Sequence, residues 1–152
     1  MLIDQVKAFL ASDDWEFRED GADRLLLTFG GKSGKWSCVA YVRESAGQLL
    51  FYSLAPMKIE PDDFKAVAEF ITRANYGMFI GGFDFDLSDG TLHFRTSVDV
   101  EQDEDKLSPT LIKHLLYHNV LTMDRYLPGL RKIVEDGMSA SAAIDAVEDT
   151  RS

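Results

Sequence analysis

An Asp-Gly pair between two stretches of alternating apolar and polar residues most constrains this chain, because Gly82-Phe83-Asp84-Phe85-Asp86-Leu87-Ser88-Asp89-Gly90-Thr91-Leu92-His93-Phe94-Arg95 reads as a β-hairpin. Period two places Phe83, Phe85, Leu87, Leu92 and Phe94 on one face, and Asp89-Gly90 supplies the positive φ of a two-residue type I′ turn. Folding about that turn predicts Leu87 opposite Leu92, Asp86 opposite His93, Phe85 opposite Phe94 and Asp84 opposite Arg95. One face is then apolar and the other charged. The hairpin reads as scaffold, since no nucleophile or metal-ligand set emerges from it.

The remaining elements follow from the same periodicities. Leu2, Val6, Phe9 and Leu10 lie at helical spacing, so a short amphipathic helix is predicted to stop near Ser12-Asp13-Asp14. Strands are predicted at Trp15 to Arg18, Arg24 to Phe29, Trp36 to Arg43 and Gln48 to Ala55, punctuated by Asp20-Gly21 and the glycine-rich Gly30 to Gly34. Pro61 suits a first helical position, and Phe64, Val67, Ala68, Ile71 and Ala74 form one stripe that ends at Asn75 or Gly77. Beyond the hairpin and an acidic loop over Glu101–Asp105, Ser108 is an N-cap and Pro109 opens a long helix ending at Gly137, which Pro128 is expected to kink or split. A single domain over 1–152 is expected, with 136–152 as a short docking helix capped by Ser139 or Ser141. Strand runs separated by single helices imply an α+β fold with an antiparallel sheet flanked by helices. Leu49, Leu50, Phe51, Tyr52 and Leu54 are apolar on both faces of one strand, so its second face must be covered, by this chain or by another.

Composition excludes several functions. A net charge of −10 disfavours nucleic acid as a partner, because phosphate-binding proteins concentrate Lys and Arg. Cys38 is the single cysteine and sits in an apolar strand, which suits a small core residue in a reducing cytoplasm. Neither a basic leader with a long apolar run nor an apolar stretch of about 18 residues is found, so a cytoplasmic protein without a membrane span is expected.

Four motifs invite chemistry. Gly30-Gly31-Lys32-Ser33-Gly34-Lys35 looks like a phosphate loop, but Leu26 stands where that loop needs its first glycine and a strand follows. His114 and His118 share a helix face in metal-ligand geometry, yet Leu115 replaces the catalytic Glu of a zinc protease and no third ligand is identifiable. Asp84 and Asp86 could form an acid/base pair or, with Asp89-Gly90, a calcium loop; the glycine is one place late, Arg95 replaces the bidentate Glu, and exposed cross-strand ion pairs are the simpler reading. Asn119 falls in the middle of an apolar stripe, where it satisfies a helix break or hydrogen-bonds across an interface.

The segments Trp36-Ser-Cys38-Val-Ala40, Phe51-Tyr52-Ser53-Leu-Ala-Pro56 and Ala68-Glu69-Phe70-Ile-Thr-Arg73-Ala74-Asn75-Tyr76-Gly77 carry a resemblance. So do Ile80-Gly81-Gly82-Phe83, Arg95-Thr96-Ser97-Val98-Asp99-Val100 and Asn119-Val120-Leu-Thr122-Met123-Asp124-Arg125-Tyr126-Leu127-Pro128-Gly129. Together they resemble the YbjN-like family of bacterial sensory transduction regulators, whose fold is similar to type III secretion chaperones. The resemblance implies a homodimeric α+β domain without catalytic residues or cofactor. The expected function is a non-enzymatic protein-interaction module, chaperone-like or a signalling adaptor. Its candidate partner or ligand surface is Trp36, Tyr41, Tyr52, Asp84 and Arg95. A small-ligand sensor with an aromatic pocket around Trp36, Tyr41, Tyr52 and Phe79 is the alternative, and a metal-dependent enzyme using His114 and His118 is a second.

Overall fold

Six segments form strands in a computed structural model that describes residues 1–148: β1 (Phe17–Glu19), β2 (Arg24–Gly30), β3 (Lys35–Arg43), β4 (Gln48–Leu54), β5 (Gly82–Phe85) and β6 (Leu92–Asp99). Helix α1 (Leu2–Ser12) precedes them, α2 (Phe64–Asn75) separates β4 from β5, and α3 (Pro109–Asp136) and α4 (Ala140–Glu148) follow. Positions 149–152 of the expected docking helix lie outside the described residues. The strands pair antiparallel throughout, in the order β1-β2-β3-β4-β6-β5. This is the α+β architecture that the alternation predicts.

Alternation decides which side of the sheet the helices cover. Leu25 and Leu27 of β2, Trp36, Cys38, Ala40 and Val42 of β3, Leu49 and Phe51 of β4 and Leu92 and Phe94 of β6 all point to one side and are buried. Helix α3 lies on that side across β4 and β6, α2 packs beside β5, α1 packs against α3, and α4 fills the angle between α2 and α3. The opposite face of β4 carries Leu50, Tyr52 and Leu54, which stay half-buried beside Gln48. Among the described residues nothing covers the second apolar face of this strand.

The hairpin keeps its faces but not its predicted register. Phe83 lies opposite Phe94 and Phe85 opposite Leu92, a slip of two residues from the sequence-based pairing, so Asp84 faces His93 rather than Arg95. Chain reversal uses a four-residue loop over 87–90, closed by Asp86 N–H donating to Thr91 O at 2.8 Å and Gly90 N–H donating to Asp86 O at 2.8 Å. The Asp86 carboxylate accepts from Ser88 N at 2.8 Å and Asp89 accepts from Thr91 N at 2.8 Å, local bonds that a two-residue turn does not offer. Gly90 has φ 79°, and a Cβ there would sit 2.5 Å from Ile59 O. Because strand period is two, the slip leaves Phe83, Phe85, Leu92 and Phe94 facing the helices and expels only Leu87, which is 63% exposed.

Helix α3 begins as predicted, with the Ser108 hydroxyl accepting from Leu111 N at 3.1 Å and Pro109 in the first turn, and it ends at Gly137 with φ 68°. It is not split by Pro128. Proline lacks the N–H that would bond the Asp124 carbonyl one turn earlier, and the Ser33 hydroxyl lies 2.7 Å from that freed oxygen. One turn and more before this, Asn119 is fully buried and reaches the sheet: its amide Nδ2 lies 2.9 Å from Phe51 O, 3.0 Å from Phe94 O and 3.2 Å from Thr96 Oγ1. Thr96 in turn donates to Leu115 O at 2.9 Å.

Two substitutions check these assignments by urea denaturation. Asn119→Leu removes donors shared by two strands in a dry site and is expected to cost about 2–3 kcal/mol. Leu87→Ser is expected to change stability by less than about 0.5 kcal/mol, whereas the sequence-based register would make it a costly core change.

Candidate functional site: the open face of the sheet

Every strand contributes outward-pointing residues to the uncovered face, and the register aligns them in rows. Arg24, Tyr41, Leu50 and Ser97 lie successively opposite one another across β2, β3, β4 and β6. The next row runs Arg18, Leu26, Val39, Tyr52, Arg95 and Gly82 from edge to edge. A polar row, Arg43, Gln48 and Asp99, borders one end: Arg43 Nη2 donates to Gln48 Oε1 at 2.6 Å and Gln48 Nε2 donates to Asp99 at 2.9 Å. Leu26, Val39, Tyr41, Leu50, Tyr52 and Leu54 are all partly accessible and form an apolar band across the middle. Two open depressions follow it, one of about 540 Å³ lined by Tyr41, Leu50 and Tyr52 and one of about 570 Å³ lined by Leu26, Val39 and Leu54.

At the β5 side the band ends in a charged cluster. The Asp84 carboxylate accepts from Arg95 Nε at 2.8 Å and lies 3.0 Å from His93 Nε2, while the His93 ring packs 4.2 Å from the Tyr52 ring. Partial burial opposes ionisation of Asp84, but the hydrogen bond and charge of Arg95, with His93, outweigh it and hold the carboxyl below its ordinary range. The same contact raises Arg95. The diagonal reach of Arg95 thus restores the ion pair that the register slip removes from the directly opposed position. On the other side Arg24 lies 5.8 Å over the Tyr41 ring.

The structure places Tyr41, Tyr52, Asp84 and Arg95 together on this face, but not Trp36. Trp36 shares parity with Cys38, Ala40 and Val42, so it points to the helices, is 3% exposed and donates from Nε1 to Ser53 Oγ at 3.0 Å. Phe79 is 99% exposed in the turn before β5, so the four aromatics expected to line a pocket do not converge. Arg18, Arg24, Leu26, Val39 and Arg43 also belong to the face and carry no motif that marks them, whereas Leu50 is part of the doubly apolar strand. Strand alternation alone was the signal that could have found them.

The tempting motifs have structural places. The Gly30 to Gly34 turn does bind a carboxylate, but one of its own chain: Asp124 accepts from Lys32 N at 3.0 Å and from Ser33 N at 2.8 Å. A Cβ on Gly31 would sit 2.5 Å from Asp124 Oδ1, so glycine is required for this approach. Burial opposes charge on Asp124, yet the Ser33 hydroxyl and the two backbone N–H groups prevail and lower its carboxyl. His114 and His118 are exposed with ring centroids 6.3 Å apart, and among the described residues no three His, Cys, Asp or Glu converge to hold a metal ion. Burial pushes the Cys38 thiol up to about 12 against the pull of Ser53 and Trp36. Asp86, expected opposite His93, caps the hairpin loop instead.

The family model described as "Putative bacterial sensory transduction regulator", YbjN, matches residues 2–132. The chain belongs to the YbjN family. Among solved structures this YbjN-family fold is similar to the crystal structure of YbjN from E. coli, described as "a putative transcription regulator", at TM-score 0.59 and 12% identity over 97% of this chain and 93% of that one. It is also similar to a chain of the HopA1-SchA chaperone-effector complex, at TM-score 0.53 and 17% identity over 81% and 89%. At such identities these likenesses establish the fold. No curated protein sequence matches the chain. No helix among the described residues is long and apolar enough to cross a membrane.

Two measurements check the local chemistry. Cys38 is expected to stay unreactive toward a thiol reagent at pH 8 until the protein is unfolded, and rapid labelling of the native protein would contradict its burial. Asp124 has a folded value below its ordinary 3.8, so its contribution is complete above that pH and fades as pH falls through the lower folded value. Asp124→Ala is therefore expected to cost about 2 kcal/mol at pH 7 and progressively less in acid, read as urea midpoints across pH.

Proposed function

We propose that this chain is a non-enzymatic protein-interaction module, chaperone-like or a signalling-regulatory adaptor, acting in the cytoplasm as a homodimer. The observation that carries the reading is the one-sided fold: among the described residues the helices lie on one face of the sheet, and the other presents an apolar band that none of them covers. Membership of a regulator family and likeness to a chaperone-effector complex chain support it. The perturbed carboxylate on this face, Asp84, is explained by its ion pair with Arg95.

Self-association has its own surface. The turn between α2 and β5 exposes Tyr76 at 90%, Phe79 at 99% and Ile80 at 49%, three large apolar side chains in five residues. Such a patch suits a second copy of the chain better than water. Light scattering after gel filtration is expected to give a dimer for the wild type and a monomer for Phe79→Asp. A wild type that stays monomeric at high concentration removes the dimer from the reading.

Partner binding is tested on the sheet. Immobilised protein is expected to retain polypeptides from a bacterial lysate that a folded Tyr52→Glu variant does not retain. Equal retention by both proteins, or by neither, sinks the interaction-module reading for this face.

A further inference from the structure

The strand positions of the open face carry charge of the opposite sign to that of the chain. The outward positions of the six strands carry five cationic side chains, Arg18, Arg24, Lys35, Arg43 and Arg95, against two carboxylates, Asp84 and Asp99. At the rim, Glu16 just before β1, Asp20 just after it with its N–H donating to Arg24 O, and Asp86 just after β5 add three further carboxylates. The whole chain carries 16 cations and 26 acidic residues, so the strand positions of this face, inside their acidic rim, hold a cationic excess on a protein of net charge −10. Of the five, Arg95 alone has a carboxylate partner among the described residues; Arg43 is bound to an amide, and Arg24 rests on an aromatic ring. Three to four cations therefore ring an apolar band without being neutralised.

The backbone determines the shape of the occupant. Strand N–H and C=O groups within the sheet are already paired, so a segment lying on its face must satisfy its own backbone, which a helix does and an extended chain does not. Strand addition at the edges is obstructed. On the free side of β5 the Asn75 amide occupies the centre, accepting from Phe83 N at 2.7 Å and donating to Phe83 O at 3.0 Å, and the opposite edge, β1, has three residues.

We propose that the open face receives an amphipathic helix of a partner protein, with an aliphatic stripe seated on Val39, Leu50 and Tyr52 and Asp or Glu side chains flanking it toward Arg18, Arg24 and Arg43. This rests on the interaction-module reading and names the chemistry of the partner. The apolar band supplies contact area, and the unpaired cations supply orientation and discrimination, since buried area alone sets neither.

The test uses the full chain and two synthetic helical peptides of about 18 residues, identical in their leucine stripe and differing only in flanks of Glu or of Lys. Net charge dictates preference for the Lys peptide; the proposal requires the reverse. Fluorescence anisotropy at low salt is expected to show the Glu peptide binding at least about tenfold tighter, with salt weakening it. Backbone NMR shifts should centre on Val39, Leu50 and Tyr52. The double variant Arg18→Glu with Arg24→Glu, both at exposed strand positions, is expected to reverse the preference, and Lys132→Glu on α3 to leave it unchanged. Preference for the Lys peptide, equal binding, no binding, or shifts confined to other surfaces overturns the proposal. A wild-type dimer that Tyr52→Glu converts to monomer also overturns it, by making the occupant a second copy. Loss of lysate retention in Tyr52→Glu together with Lys-peptide preference would refute the acidic helix while leaving the interaction module standing.

Discussion

The side-chain amide of Asn119 holds the helical layer to the sheet. Leucine-like residues on α3 can pack against β4 and β6 in several closely similar offsets, because apolar contact is non-directional. Three acceptors on β4 and β6 within 3.2 Å of one nitrogen admit one offset, and the Thr96 hydroxyl bonding back to Leu115 O fixes the same helix turn from the sheet side. From that anchor the axial position of α3 follows, and with it the placement of α1, α2 and α4, which all pack on α3. A polar residue in a dry core thus contributes uniqueness to the fold as well as energy.

A second tie holds α3 a little over one turn further on, at Asp124. The glycine-rich turn between β2 and β3 offers two backbone N–H groups to a carboxylate, the same property that lets such turns hold phosphate, and Asp124 fills it. Pro128 frees the Asp124 carbonyl and Ser33 lies against it, so a residue that weakens helices is accommodated at the place where the helix needs an external contact. With four helices committed to one side by these ties, none of the described residues remains to place a helix on the other. The bare face is a consequence of the same packing that makes the domain stable.

Much of the architecture was legible in order and type. Alternation found the strands, helical stripes found α1, α2 and α4, and Ser108, Pro109 and Gly137 bounded α3, because these signals are local and each residue reports its own environment. The hairpin register was not, since Asp-Gly is compatible with several loop lengths and the choice fell to Asp86 and Asp89 side chains bonding their own loop. Trp36 is expected from the sequence on a partner or ligand surface, whereas parity with Cys38 and Ala40 places it inside. The face itself was legible as an apolar excess in Leu49 to Leu54, but its cationic members lie on four strands spread from Arg18 to Arg95, and no local window contains them.

By itself the sequence determined an acidic α+β domain with an antiparallel sheet, a strand too apolar for one-sided burial and family-specific segments distributed along its length. Those properties depend on residue type and on separations of a few positions, which a chain carries whether folded or not. Tertiary structure decided which side of the sheet the helices occupy, which carboxylate enters the glycine turn, and which cations gather around Tyr52. These depend on pairings between residues as distant as Ser33 and Asp124, and only the assembled sheet and its anchored helix bring such residues within hydrogen-bonding reach.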